Sequence, residues 1–275
     1  MLFFFYKHHT SSEMNKYKFT IITVCYNAQE HIEKTIKSLL EQDFSDYEYI
    51  IKDGKSTDNT MNIVRSLINE SDNFHIISER DGGIYDAMNY AVERANGEYI
   101  YFLNAGDFFA STSVLKETKL FLEKKEADVV YGDVIQIRDN KKSIRRYGKV
   151  CSKKAYFLSG DCICHQAMFA RHELFHEKIF DTNYKVCADK EWQLYHINNK
   201  KMFMPMAYEI ATVLVEGFST NHLSDFEYES MRCVEKYCKS TAWIYKCICW
   251  MKHNTICVKI LRGIGNIFFV RSKHD

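Results

Sequence analysis

The sequence predicts an α/β fold: a mainly parallel, twisted sheet with helices on both faces, followed by a helical C-terminal tail. Strand-like and helix-like segments alternate through the first half at the spacing of a βα unit, the pattern of parallel strands joined by crossover helices. The first strand-like segment, Phe19-Thr-Ile-Ile-Thr-Val-Cys25, is nearly continuously apolar, as expected of a strand covered on both faces. Composition agrees: 275 residues, 46% hydrophobic and 27% charged, suit one large globular domain with an appendage and exclude disordered, collagen-like and coiled-coil chains.

Each element has its own signal. Asn27 is placed to cap the first helix, with Glu30 three residues on as in a capping box, and Ile32, Ile36, Leu39 and Leu40 share one helical face. Residues 47–51 form a second strand and 58–67 a second helix, with Asp58 as its N-cap. A strand over 74–77, a helix over about 85–95 ended by Gly97, and a strand over 99–103 follow, then a helix over 114–124 and a strand over 128–133. The second half is less regular. Residues 138–146 are basic and polar, a loop or hairpin tip; 162–171 and 202–215 are strand-like, 189–197 helical, and the pattern turns helical from Asp225. The expected organisation is an N-terminal arm over 1–17, an α/β domain over 18–224 and a basic, amphipathic helical tail over 225–275. Met14 offers an alternative start, which would leave 1–13 as an arm without structural consequence.

The 37 basic and 36 acidic residues leave a net charge of +1, which speaks against a whole-chain grip on nucleic acid. No charge-free apolar run reaches the ~18 residues of a membrane-spanning helix. The apolar start, Met1 to Tyr6, has neither a basic region before it nor a small-residue cleavage site, unlike a signal peptide. Cys162-Ile-Cys164-His165 and Cys247-Ile-Cys249 have one-residue gaps rather than zinc-site spacing, so the ten cysteines read as buried free thiols in a reducing cytoplasm. In the tail, Lys252, Lys259 and Arg262 fall on one side of a helical wheel and Trp250, Cys257, Ile260, Leu261 and Ile264 on the other. Such a helix either lies on an anionic membrane surface or packs on the domain.

In an open parallel sheet, ligands bind beyond the carboxyl ends of the strands. Cys25-Tyr-Asn-Ala28 follows the first strand without a glycine-rich turn, which disfavours dinucleotide and P-loop sites. The next three strands end in Asp53-Gly-Lys-Ser-Thr-Asp58, Glu79-Arg-Asp-Gly-Gly83 and Asn104-Ala-Gly-Asp107, so carboxylates beside glycines line one edge. Asp107 suits a hard divalent ion that bridges a diphosphate, and Asp53 suits a hydrogen bond from a base-ring N–H.

These blocks carry a resemblance. Thr20-Ile-Ile-Thr-Val-Cys-Tyr-Asn27, Asp53 to Asp58, Asp81-Gly-Gly-Ile-Tyr-Asp-Ala-Met-Asn89 and Leu103 to Asp107 resemble successive blocks of family 2 glycosyltransferases, nearest the bacterial branch that builds capsule, exopolysaccharide and O-antigen. Asp128 to Asp133, Cys164-His-Gln166, Ala188-Asp-Lys-Glu-Trp192 and Glu216-Gly-Phe-Ser219 extend the likeness to about residue 219. The resemblance implies the GT-A fold, a nucleotide-sugar donor, a saccharide or lipid-linked acceptor and a divalent metal ion, Mg²⁺ or Mn²⁺. By position it places Thr23 and Tyr26 at the nucleotide edge, Asp53 on the base, Asp107 as the last acid of the Asp-x-Asp metal motif and Asp189 as the base of inverting members. The sequence departs from that motif at Asn104 and Gly106, which weakens the expected grip on metal. Asp81, Asp86 and Asn89 belong to the expected donor pocket, or the latter two to a helix surface. His165 and Gln166 are expected sugar contacts, with a hydrogen-bonded core histidine as the alternative. Glu191 reads as structural, and His222 as a further reach toward metal from the C-terminal side.

The expectation is an inverting, metal-assisted glycosyltransferase that extends a cell-surface polysaccharide at the cytoplasmic face of a membrane. The rivals are a sugar-phosphate nucleotidyltransferase, which wants a glycine-rich phosphate loop after the first strand, and a degenerate partner subunit that only binds sugar nucleotide.

Overall fold

The computed structural model describes residues 16–139, 141–147, 162–214, 223–243 and 246–247. The expected arm up to residue 15, His222 and most of the amphipathic tail, Lys252 to Ile264 included, lie outside the described residues.

Nine strands form one sheet: β1 (Tyr17–Cys25), β2 (Tyr47–Asp53), β3 (Phe74–Ser78), β4 (Gly97–Phe102), β5 (Phe108–Phe109), β6 (Val129–Arg138), β7 (Lys141–Arg145), β8 (Met168–Arg171) and β9 (Phe203–Leu214). Their order is β3-β2-β1-β4-β8-β6-β9-β5, with β7 paired to β6 as a hairpin. The first four strands in that order are mutually parallel; β8 enters antiparallel between β4 and β6, and β9 runs parallel to β6. The expected parallel sheet is therefore present, with β5, β7 and β8 reversed.

The helices are α1 (Ile32–Leu40), α2 (Thr60–Leu67), α3 (Ile84–Val92), α4 (Val114–Lys124), α5 (His172–Glu177), α6 (Ala188–Asn198) and α7 (Leu223–Tyr237). Alternation along β1 builds two cores. Phe19, Ile21 and Cys25 face α1, α2 and α4 through Ile32, Ile36, Met61, Val64 and Leu115. Ile22 and Val24 face the opposite layer, where Met88 of α3, Phe175 of α5 and Trp192 of α6 pack together. Trp192 is fully buried and stacks on Phe175 with ring centroids 4.8 Å apart.

Several boundaries differ from expectation, each for a local reason. Asn27 does not cap α1: it adopts φ 48°, and its side-chain oxygen accepts from the Thr57 amide of the neighbouring loop, so α1 starts five residues later. Gly97 opens β4 rather than closing α3, because a Cβ there would sit 2.4 Å from the Thr20 nitrogen of β1. Residues 165–167 form a 3₁₀ turn, closed by the Ala167 amide on the Cys164 carbonyl, so only Met168–Arg171 of the expected strand pairs in the sheet. Tyr17 belongs to β1, one residue inside the expected arm, and the expected boundary at 224 falls within α7, whose Cys233 reaches the core. The cysteines among the described residues form no disulfide, and Cys247 is exposed rather than buried.

Two buried histidines make stability pH-dependent. Burial pushes His172 down to about 4 and His196 to about 3, so both stay neutral in the folded chain. The unfolded chain takes up these protons below the ordinary histidine value of 6.5. Stability is then full above pH ~6.5 and falls as pH drops toward 3–4, by up to about 2 kcal/mol per histidine at pH 5. Urea midpoints at pH 7.5 and 5.0 measure this; His196→Leu should flatten the dependence, and an equally steep curve in that variant contradicts it.

Candidate active site

Parallel pairing brings Cys25, Asp53, Ser78 and the residues after Phe102 to one sheet edge. The loops there satisfy each other's backbone through side chains rather than through glycines. Ser56 Oγ accepts from the Asn27 amide (2.8 Å), Thr60 Oγ1 from Ala28 (2.7 Å), Asp58 from Gln29 (3.2 Å), and Gln29 Oε1 from Asn59 (3.0 Å). Asp58 also accepts from the Thr60 amide at 3.0 Å, but it is not the expected N-cap: α2 starts at Thr60 with Asn59 in the cap position, and Asp58 shapes the turn just before it.

Asp53 is fully enclosed at the end of β2. Its carboxylate accepts from the Ser56 amide at 3.1 Å, the Ser56 hydroxyl and the Ser78 hydroxyl at 2.6 Å. The Cys25 thiol adds a longer contact to Oδ1 at 3.9 Å, so the roughly four acceptor positions of the carboxylate are all engaged. Lys52, beside it, is a buried lysine whose ammonium donates to the Asp53 carbonyl (3.1 Å), the Glu79 carbonyl (2.6 Å) and Asp81 Oδ2 (2.9 Å). This ties the ends of β2 and β3 together and fixes Asp81 above Gly54, where a Cβ would lie 3.0 Å from Asp81 Oδ2 and 3.4 Å from the Tyr26 ring. Tyr26 itself is 64% exposed, a free aromatic face on this edge. Asp86, exposed in the first turn of α3, accepts from the Gly82 amide at 2.7 Å.

Two expected donor-pocket residues are turned inward. Thr23 is buried, its hydroxyl donating to the Leu103 carbonyl at 2.6 Å and sharing a hydrogen bond with Tyr49. Asn89 spends both ends of its amide on the Phe180 backbone, at 2.9 and 3.0 Å. Both hold the scaffold, because β1 and α3 direct these positions into the core.

The remaining expected residues converge. Asn104 to Asp107 form a four-residue turn, closed by the Asp107 amide on the Asn104 carbonyl, whose third position, Gly106, has φ 104°. Asp107 is 8% exposed, and burial pushes its carboxyl up to about 6 despite Gln166 Nε2, which donates to Oδ2 at 2.9 Å. The preceding residue, His165, meets the Asn104 amide nitrogen through Nε2 at 2.9 Å and Asp189 Oδ2 through Nδ1 at 3.4 Å. Asp189, in the first turn of α6, is buried; Tyr85 donates to the Val186 carbonyl at 2.7 Å and lies 3.4 Å from Asp189 Oδ1. Glu191 faces elsewhere, ion-paired with Lys236 (2.6 Å) and Lys178 (3.3 Å), the structural part expected of it.

The donor set fits a hard divalent cation. Asp107 is a buried carboxylate, and among the described residues Asn104 Oδ1 is a buried oxygen without a hydrogen-bond partner. Among the described residues no group of three or more His, Cys, Asp or Glu is placed to hold a metal ion.

Sequence reasoning passed over Lys52, Tyr85 and Glu229. Glu229 of α7 is buried and accepts from three successive amides, Lys185 (2.7 Å), Val186 (2.9 Å) and Cys187 (3.0 Å), clamping the turn that launches α6 and Asp189. Its only sequence signal is an acid on the polar-looking α7, and nothing local links it to residue 185. Lys52 is visible in the sequence only as a lysine beside Asp53 at the end of β2. Glu229→Ala orphans two buried donors, the Val186 and Cys187 amides, and one part-buried donor at Lys185, and a loss of about 3 kcal/mol is expected. Thermal melting checks this; an unchanged melting temperature contradicts the clamp.

Residues 20–178 match the family model described as glycosyl transferase family 2. Over 214 residues the chain is 29% identical to a PGL/p-HBAD biosynthesis glycosyltransferase of Mycobacterium tuberculosis, covering 76% of this chain and 82% of that one. Its fold is similar to that of Staphylococcus aureus TarS residues 1–349 in complex with UDP-GlcNAc, with a TM-score of 0.65, 21% identity and coverage of 80% of this chain and 66% of that one. It is likewise similar to mannosyltransferase PcManGT from Pyrobaculum calidifontis in complex with GDP-Man and Mn²⁺, with a TM-score of 0.58, 14% identity and coverage of 92% and 80%. At these identities the two structures speak for the fold, which is GT-A. The chain belongs to glycosyl transferase family 2 and is a glycosyltransferase.

Proposed function

We propose that this glycosyltransferase moves a sugar from a nucleoside diphosphate sugar to a saccharide or lipid-linked acceptor in cell-surface glycan assembly, with inversion at the anomeric carbon. The observation that carries this reading is the convergence of Asp107, Asn104, Gln166, His165 and Asp189 next to the Tyr26–Gly54–Asp81 rim. Tyr26 offers a face for the base, Asp53 lies behind that edge and would take a ring N–H in exchange for one of its present donors, and Asp81 and Asp86 line the way to the sugar. Asp189 Oδ2 takes the acceptor's hydroxyl proton as that oxygen bonds to the anomeric carbon. The bond from carbon to the diphosphate oxygen breaks, and its electron pair leaves with the nucleoside diphosphate. A Mg²⁺ or Mn²⁺ ion held by Asp107, with Asn104 Oδ1 beside it, would offset the charge of the departing diphosphate. Gln166 orients Asp107 for that task.

The names of the relatives support the cell-surface setting: one is assigned to PGL/p-HBAD biosynthesis, and TarS is a poly(ribitol-phosphate) β-N-acetylglucosaminyltransferase. Among the described residues no helix is long and apolar enough to cross a membrane. Contact with the inner face of the cytoplasmic membrane is proposed on a separate ground, the basic side of the tail's helical wheel, and liposome co-sedimentation with and without residues 241–275 tests it; equal binding removes it.

Thermal-shift measurements with UDP-GlcNAc, UDP-glucose, dTDP-glucose and GDP-mannose test the donor site. A ligand present at a hundred times its Kd stabilises the native chain by about 2.7 kcal/mol, and Asp53→Ala should diminish that shift. No shift with any of the four, with Mg²⁺ or Mn²⁺ present, contradicts the reading.

A further inference from the structure

The 3₁₀ turn at 165–167 sends two consecutive side chains to the two carboxylates of the site. Gln166 reaches Asp107 at 2.9 Å, and His165 reaches Asp189 at 3.4 Å. The turn is itself held, since the Tyr101 hydroxyl donates to the Gln166 carbonyl at 2.7 Å and the ring of Phe102 packs edge-on to the His165 ring. His165 has a second partner. The Asn104 amide nitrogen lies 2.9 Å from its Nε2, while Asn104 Oδ1 has no hydrogen-bond partner among the described residues. An amide nitrogen only donates, so it meets Nε2 as a lone pair, and the proton of the neutral ring is then on Nδ1.

From this chain of contacts we infer that His165 is a positioning residue for Asp189, and that Asn104, which stands in place of an acid, sets the tautomer that lets it act. This inference rests on the reading of Asp189 as the base. The Nδ1–H donates to Asp189 Oδ2, while Oδ1 is occupied by the Lys190 amide at 2.7 Å and approached by the Tyr85 hydroxyl. The carboxylate is thereby held from both oxygens, and one lone pair on Oδ2 stays open to an acceptor hydroxyl. A carboxylate at position 104 reverses the logic. It accepts from Nε2–H, which leaves a bare Nδ1 lone pair facing the Asp189 carboxylate unless the ring takes up a second proton. The asparagine is thus a functional departure rather than an eroded metal ligand. It gives up one charge near the diphosphate and gains a histidine whose Nδ1–H donates to the base.

The first test needs no substrate. Long-range ¹H–¹⁵N correlation of histidine-labelled protein at pH 8, with His165 assigned by its loss in His165→Asn, reports which ring nitrogen carries the proton. The Nδ1–H form is expected in the wild type, and the Nε2–H or doubly protonated form in Asn104→Asp. An Nε2–H ring in the wild type overturns the inference.

The second test reads nucleoside diphosphate released from UDP-GlcNAc, UDP-glucose, dTDP-glucose and GDP-mannose, alongside the calorimetric affinity for UDP, dTDP and GDP. His165→Asn places an amide donor where Nδ1 stood and should keep turnover within about tenfold of wild type. His165→Gln carries its amide to the Nε2 position, leaves Asp189 without the donor and should lower kcat about 10²-fold, the scale of an ångström's misplacement, with nucleotide affinity unchanged. Wild-type kcat in His165→Gln, or equal losses in both variants, overturns the inference. Asp189→Asn in the same assay separates the two readings. Full activity there removes the base assignment and this inference with it, whereas lost activity there beside an unaffected His165→Gln removes this inference alone.

Discussion

Asp189→Asn is expected to fold, to bind nucleotide sugar as the wild type does, and to turn over ~10²–10⁴-fold more slowly, the usual cost of losing a general base. A purely structural role for this aspartate would be that of an N-cap, and the structure removes most of its force. Cys187 occupies the cap, and Asp189 is the second residue of α6. Asparagine keeps an oxygen for the Lys190 amide and the Tyr85 hydroxyl, so the backbone around residue 189 has no reason to move. What it lacks is a lone pair basic enough to take a proton. A hydrogen bond weakened at His165 costs about 1 kcal/mol of stability, which cannot imitate a rate loss of several powers of ten. Turnover within tenfold of wild type would refute the assignment, and Glu191, already paired with two lysines, could not easily replace it.

The second large effect is at Asp107, and it has two signs. Burial raises this carboxyl from an ordinary 3.8 to about 6, so between those values the folded chain binds more protons than the unfolded one. Its favourable contribution is complete below pH 3.8 and is lost as pH rises through about 6, leaving an ionised, uncompensated carboxylate at neutral pH. That difference corresponds to about 3 kcal/mol at most. Asp107→Asn, which retains an oxygen for Gln166, is therefore expected to melt several degrees higher than wild type at pH 7.5 in chelator, while losing both the Mn²⁺-induced thermal shift and most turnover. A variant that melts lower, or still responds to Mn²⁺, contradicts the placement of the ion at Asp107.

The parts of the molecule legible in the sequence are those written in local pattern. The strand at Phe19–Cys25, the alternation that followed it and the three acid-ended loops need only periodicity and turn chemistry, and all lie where expected at one sheet edge. The misplaced details depend on partners remote in sequence. Asn27 resembles a cap until Thr57 claims its oxygen, Gly97 resembles a helix stop until the β1 backbone presses against it, and Thr23 resembles a rim residue until Leu103 and Tyr49 claim its hydroxyl. Glu229 clamps a turn some forty residues away, a relation no window along the chain contains. His165 and Gln166 were legible as a pair, but their division of labour between Asp189 and Asp107 exists only because the chain turns at 165–167 instead of continuing as a strand.

The most direct test of the account is the anomer released first. Proton NMR on the wild type with α-configured UDP-GlcNAc, UDP-glucose, dTDP-glucose and GDP-mannose follows the sugar formed when water serves as acceptor. With Asp189 activating the attacking oxygen opposite the departing diphosphate, the β anomer should appear first and the α anomer only by later mutarotation. The α anomer appearing first would contradict inversion and the role of Asp189, and nucleotide binding with no sugar released from any of the four would point instead to a chain that holds its donor without turning it over.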